Sequence, residues 1–89
     1  MLEQSVVVVN KTGLHARPAA LLVKTAASFP CDVVIIKNGK NFNGKSIISV
    51  MSAAVKEGEE ITVRTDGDRE EEALEALITL IKTGLAEKR

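Results

Sequence analysis

Aromatic side chains are almost missing from this chain of 89 residues: Phe29 and Phe42 are the only two, with no Tyr and no Trp. The stacking platforms of single-strand nucleic-acid binders are therefore lacking, and the core must be assembled from Val, Ile, Leu and Ala. Cysteine is as scarce. Cys31 stands alone, which excludes an intramolecular disulfide and fits a reducing compartment. One His and one Cys without close acidic neighbours make no metal site. The longest apolar run falls far short of a membrane span, and Met1-Leu2-Glu3-Gln4 lacks the charged start of a signal peptide. A cytoplasmic protein without membrane insertion is expected. Net charge is also absent, twelve Lys and Arg balancing twelve Asp and Glu, which argues against a general polyanion binder and against direct nucleic-acid contact.

What is present is a 45% hydrophobic composition, enough for one small domain over residues 1–89 and no second. The charges are unevenly placed. Residues 1–31 carry a single acid, Glu3, against Lys11, Arg17 and Lys24, while nine of the twelve acids fall between Glu57 and Glu75.

Val6 to Val9 are β-branched and read as a buried first strand, closed by Asn10-Lys11-Thr12-Gly13. After Pro18, Ala19, Leu22, Val23 and Ala26 recur at helical spacing, predicting a helix to about residue 28. Residues 33–36 form a second strand, and Asn38-Gly39 supplies a type I′ hairpin into a short third strand at 41–43. Ser46 is a suitable N-cap for a second helix with Ile47, Val50, Met51 and Ala54 on one face, running to Gly58. Residues 61–65 alternate as a fourth strand. Asp68 is expected to cap a last helix, with Glu71 three residues on, whose core face is Leu74, Leu77, Ile78, Ile81 and Leu85. The order β-α-β-β-α-β-α makes an α+β, open-faced sandwich with helices on one side of a sheet. Periodicity does not give the strand order, and a ferredoxin-like sheet with an extra helix fits the same pattern.

The chemistry concentrates in Gly13-Leu14-His15-Ala16-Arg17-Pro18-Ala19. Proline is tolerated in a first helical turn, so Pro18 places His15 near the cap. The backbone N–H groups of Ala16 and Arg17 should then point outward with the positive end of the helix dipole, where an anion belongs. Imidazole titrates near neutrality and offers a nucleophilic nitrogen, Arg17 adds a planar fork for phosphate oxygens, and Gly13 permits a left-handed backbone or close approach. These residue types suit a carried phosphoryl group. A true enzyme using His15 as acid or base would ordinarily supply an orienting carboxylate, and none is near in sequence. A pure interaction module built on Ile47, Ile48 and Met51 is the other reading. Val50 and Met51 are assigned first to the core, and of the adjacent Ile47 and Ile48, about 100° apart on a helix, one is expected at the surface.

On these residues, and on Asn43-Gly44-Lys45-Ser46-Ile47-Ile48-Ser49-Val50-Met51, the chain resembles HPr, the histidine-containing phosphocarrier family of the bacterial phosphoenolpyruvate:sugar phosphotransferase system. The first stretch is similar to the family's active-site signature and the second to its regulatory signature, and the resemblance covers essentially the whole chain. It implies a four-stranded antiparallel sheet of order 1-4-2-3 with three helices on one face. It implies that His15 is phosphorylated on Nδ1 by phosphorylated enzyme I and passes the group to sugar-specific permease components, with Arg17 steadying the phosphate. A carrier of this kind is not itself an enzyme and needs no cofactor. Ser46 would be the substrate of an ATP-dependent HPr kinase/phosphorylase, giving a corepressor of a catabolite control transcription regulator. Ala20, Ile47, Ile48 and Met51 would dock partners, and transient partnering suggests a monomer with small interfaces. The catabolite-repression homologue resembles the family yet lacks the active-site histidine, so His15 argues against that identity. The Ser46 segment likewise leans away from a nitrogen-related branch. Ala53-Ala54 departs from the Leu-Gly that many members carry there, which bears on how the second helix ends.

Overall fold

A sheet with one covered face makes its strands alternate, and they do so here. The computed structural model describes residues 1–84. Its elements are β1 (Leu2–Val7), α1 (Ala16–Ala27), β2 (Asp32–Lys37), β3 (Lys40–Asn43), α2 (Ile47–Ser52), β4 (Glu60–Asp66) and α3 (Glu70–Lys82), in the expected order. The strands form one antiparallel sheet, β1-β4-β2-β3, which resolves the order that periodicity left open. Val6, Val33, Ile35, Ile61 and Val63 point to one side and join Leu22, Ala26, Val50, Leu77 and Ile81 of the helices in a single core. The opposite side mixes polar side chains with Val7, Val34 and Ile36. There Ser5 and Thr62 share a hydrogen bond of 3.1 Å and Arg64 pairs with Glu3 at 2.7 Å.

This one-sided cover corrects the reading of the first strand. Val6 and Val8 are buried, but Val7 and Val9 are 44% and 48% exposed, and the strand begins at Leu2 rather than Val6. Four successive β-branched residues suggested burial on both faces, which a sheet with one open side does not offer. The hairpin is as expected, with Asn38 and Gly39 both at positive φ, 51° and 79°, the conformation a type I′ turn requires.

Both later helices end or begin differently from expectation. The acid expected to cap α3, Asp68, does not: Arg69 occupies the cap position at φ 63° without a side-chain cap bond. Glu70 instead reaches back, accepting from the Gly67 N–H at 2.9 Å, so a carboxylate in the first turn ties the helix to the loop before it, while the helix's own first donors receive no side-chain cap. That bond, followed by the N-terminal amine, holds the Glu70 carboxyl below the usual range. Ala73 rather than Leu74 is fully buried on this helix, and Leu85 lies outside the described residues.

Helix α2 stops at Ser52 instead of running to Gly58, because Ala53 caps it and Ala54 turns left-handed at φ 52°. Ala54 is exposed, and Ala53 takes the core position expected of it. A left-handed non-glycine residue costs about 1–2 kcal/mol, against roughly 0.4–1 kcal/mol of unfolded-state entropy that alanine saves over glycine. Ala54→Gly is therefore expected to stabilise the fold by about 0.5–1 kcal/mol, raising the thermal midpoint by a few degrees in calorimetry.

Candidate functional site

His15 caps α1. Its backbone is extended, at φ −99° and ψ −171°, and its carbonyl accepts the first helical bond from the Ala19 N–H at 2.8 Å. The ring turns back so that Nδ1 accepts from the Ala16 N–H at 3.0 Å. An accepting Nδ1 carries a lone pair, so the neutral ring keeps its proton on Nε2. One bond thus fixes both the orientation and the tautomer of an exposed imidazole. Of the two N–H groups expected to face outward, that of Ala16 serves the ring. The first turn holds no acid. Pro18 is the third helical residue, where it contributes no donor, and it is buried. The Arg17 side chain is exposed and makes no hydrogen bond or ion pair with another described residue.

The loop before His15 is held from both sides. Asn10, 4% exposed, donates from Nδ2 to the Gly13 carbonyl at 2.6 Å, and the Gly13 N–H returns a bond to the Asn10 carbonyl at 3.1 Å. The N–H of the buried Leu14 donates to the Val55 carbonyl at 2.9 Å. Gly13 stands at φ 64°, and a Cβ there would lie 2.3 Å from the Val55 carbonyl oxygen. Both uses of glycine, positive φ and close approach, apply at this one residue.

Ser46 is the N-cap of α2, its Oγ accepting from the Ser49 N–H at 3.2 Å, while Ser49 Oγ accepts from the Asn43 N–H at 2.9 Å. Lys45 beside it is anchored on the Phe29 carbonyl at 2.8 Å, at the far end of α1. Helices α1 and α2 pack on each other, but among the described residues no side-chain hydrogen bond or ion pair joins His15 to Ser46. The expectations for α2 need two corrections. Ile47 and Ile48 are both exposed, Ile48 by 80%, where one was expected, and Met51 is exposed rather than in the core; only Val50 is fully buried. A six-residue helix lying on α1 has room for one inward row. Ala20 is exposed on α1, so all four residues named for docking are accessible.

Sequence reasoning missed the segment that carries this loop. Lys37 Nζ donates to the carbonyls of Ala53 and Ala54, at 3.0 Å each, and pairs with Glu59 Oε1 at 3.2 Å. A lysine before a hairpin reads as a solvated charge, and partners this distant in sequence leave no periodic signal.

Similarity to known proteins extends over nearly the whole chain. The family model described as PTS HPr component phosphorylation site matches residues 2–83. The HPr-like protein Crh of Halalkalibacterium halodurans is 50% identical over 82 residues, 92% of this chain and 98% of that protein. The phosphocarrier protein HPr of Mycoplasma capricolum is 44% identical over 86 residues, 96% of this chain and 97% of its own. Among solved structures, HPr-C-His from Thermoanaerobacter tengcongensis superposes over the full length of both chains with a TM-score of 0.95 at 44% identity. Crh of Bacillus subtilis, described as a swapped dimer, matches at TM-score 0.77 and 46% identity over 98% of this chain and all of that one. No helix among the described residues is long and apolar enough to cross a membrane.

Proposed function

The chain belongs to the PTS HPr family, and from that premise we propose that it is a phosphoryl carrier of the phosphotransferase system, with His15 Nδ1 as the carrying atom. The observation that supports this most is the exposed His15 ring, its Nδ1 lone pair held at the start of α1 by the Ala16 N–H. In the proposed step the phosphorus–nitrogen bond of phosphorylated enzyme I breaks as a bond from phosphorus to Nδ1 forms. The Ala16 N–H exchanges its ring acceptor for a phosphate oxygen, and the Arg17 guanidinium approaches the other oxygens. No carboxylate in the first turn of α1 opposes the incoming charge. Transfer to sugar-specific permease components is the same step run onward. His15 takes part as an intermediate and not as a turnover catalyst, so the protein is a carrier rather than an enzyme, working in the cytoplasm and without a cofactor.

A second reading, a purely regulatory protein like the Crh relatives, is favoured by their identity to this chain and disfavoured by the histidine. Incubation with enzyme I and labelled phosphoenolpyruvate separates the two. A carrier ends with one acid-labile, alkali-stable phosphate per chain. An unlabelled chain leaves only the regulatory reading, and continuous release of phosphate would make it a hydrolase. The dimeric relatives set a test for the expected monomer as well, by sedimentation of the unmodified chain.

Regulation at Ser46 by HPr kinase/phosphorylase, and corepression of a catabolite control regulator, belong to the same proposal. A phosphate on the cap oxygen adds roughly two negative charges beside the exposed Ile47, Ile48 and Met51. Those charges repel an acidic face of enzyme I and offer a basic regulator new contacts. Ser46→Asp is expected to slow phosphorylation of His15 by enzyme I at low salt and to recover as ionic strength screens the repulsion. Initial rates for both chains across a salt series check this; equal rates at low salt would leave Ser46 as a helix cap.

A further inference from the structure

The end of α2 is built around one ammonium group. Because Ala54 turns left-handed, the carbonyls of Ala53 and Ala54 leave the helix direction unpaired within it, and both accept from Lys37 Nζ. Lysine has three donors; the third faces Glu59 Oε1. Glu59 in turn accepts from the Lys56 N–H at 2.7 Å, which leads the causes that lower the Glu59 carboxyl, ahead of Lys37. The run 53–59 is thereby gathered around a Lys37–Glu59 pair whose lysine side chain is only 15% exposed. Two bonds fasten the far end of this run to the extension of β1: Val8 N–H to the Glu59 carbonyl at 3.0 Å, and Gly58 N–H to the Val8 carbonyl at 2.8 Å.

In the middle of that run sits the Val55 carbonyl, the acceptor for Leu14 and the surface against which Gly13 lies. His15 follows directly, so wherever Val55 is placed, the peptide that carries the ring is placed with it. We infer that Lys37 is a positioning residue for the phosphoryl-accepting loop: held between the two carbonyls and Glu59, it fixes the Val55 carbonyl and through Leu14 the stance of His15. The inference rests on the carrier reading for its kinetic consequence and on geometry alone for its structural one. A lysine stem from the end of β2 reaches across to this run where a helix ending in glycine would ordinarily satisfy its own last carbonyls by a tighter turn.

The test compares Lys37→Met, which keeps the stem and removes the donors, with Lys37→Arg, which keeps charge and donors, and with Val63→Ala as a truncation in the middle of the sheet. Hydrogen exchange of the Leu14 amide is read by NMR in each. In Lys37→Met that amide should exchange on the order of tenfold faster than in Val63→Ala once both are corrected for global stability, with Lys37→Arg close to the unmodified chain. Phosphorylation by enzyme I should show a lower maximal rate with unchanged KM, since the ring is misplaced and the docking surface is not. Glu59→Gln, which removes only the charge, provides the same readout should Lys37→Met not fold, and is expected to loosen Leu14 to a smaller extent. Leu14 protection in Lys37→Met, or in Glu59→Gln in its place, no different from that in Val63→Ala overturns the inference, as does a change confined to KM. If the unmodified chain accepts no phosphate at all, the carrier reading fails while the Leu14 exchange still decides the role of Lys37.

Discussion

Replacing His15 by alanine should abolish acceptance of phosphate from enzyme I while leaving the fold in place. The ring is exposed and makes one hydrogen bond in the described chain, to the Ala16 N–H. Losing a cap of that kind costs about 0.5–2 kcal/mol, a modest part of the roughly 5–15 kcal/mol that a native domain holds. The chemical loss is complete by comparison, since alanine offers no atom to form the bond to phosphorus. His15→Asn sharpens the result. An asparagine oxygen can take over the cap and should restore most of the lost stability, yet it cannot carry a phosphoryl group by this route. Thermal unfolding with acid-labile labelling of the three chains checks both halves. Label retained in His15→Ala would move the phosphorylation to another residue and overturn the site.

The site was legible because its signal is local. Gly13, His15, Arg17 and Pro18 lie within six residues, and a helix start imposes fixed roles on positions so close to it. The hairpin at Asn38-Gly39 was legible for the same reason, since only a few residues accept two successive positive φ values. The errors all depend on tertiary contacts. Whether Val7 and Val9 are covered is decided by which face of the sheet the helices take, and Met51 is exposed because α1 covers only one row of a short α2. The failure at Asp68 is of the same kind: the loop enters α3 through a left-handed Arg69, stacked 5.1 Å over the Phe29 ring. That ring belongs to the segment after α1, so the competing interaction was invisible in the sequence around residue 68. Lys37 and Val55 are the clearest case. Neither residue type suggests a role beside His15, and the bonds that give them one cross between separate elements.

Gly13→Ala is expected to cause the largest loss of stability among single-methyl changes near the site. Two costs combine. The φ of 64° is left-handed, worth about 1–2 kcal/mol against alanine. The new Cβ would stand 2.3 Å from the Val55 carbonyl oxygen and 2.9 Å from Lys56 Cα, backbone atoms that cannot rotate away as a side chain would; forced overpacking adds roughly 1–3 kcal/mol. Alanine returns about 0.4–1 kcal/mol by restricting the unfolded chain, so the net loss is about 2–4 kcal/mol. At roughly 4–8 °C per kcal/mol for a domain of this size, the thermal midpoint should fall by ten degrees or more. Gly58→Ala isolates the first cost, because Gly58 has φ 87° and nothing within 4 Å of its would-be Cβ. It should lose about 1 kcal/mol. The difference between the two variants then measures the contact with Val55. Relief of that contact requires the Gly13–Leu14 peptide to move off the Val55 carbonyl, and a displacement of about 1 Å in a reacting group costs on the order of a hundredfold in rate. Gly13→Ala should therefore slow phosphorylation of His15 even well below its melting temperature, whereas Gly58→Ala should not. Equal stability losses in the two variants would show that Val55 yields freely and that the loop before His15 is not seated as tightly as its geometry requires.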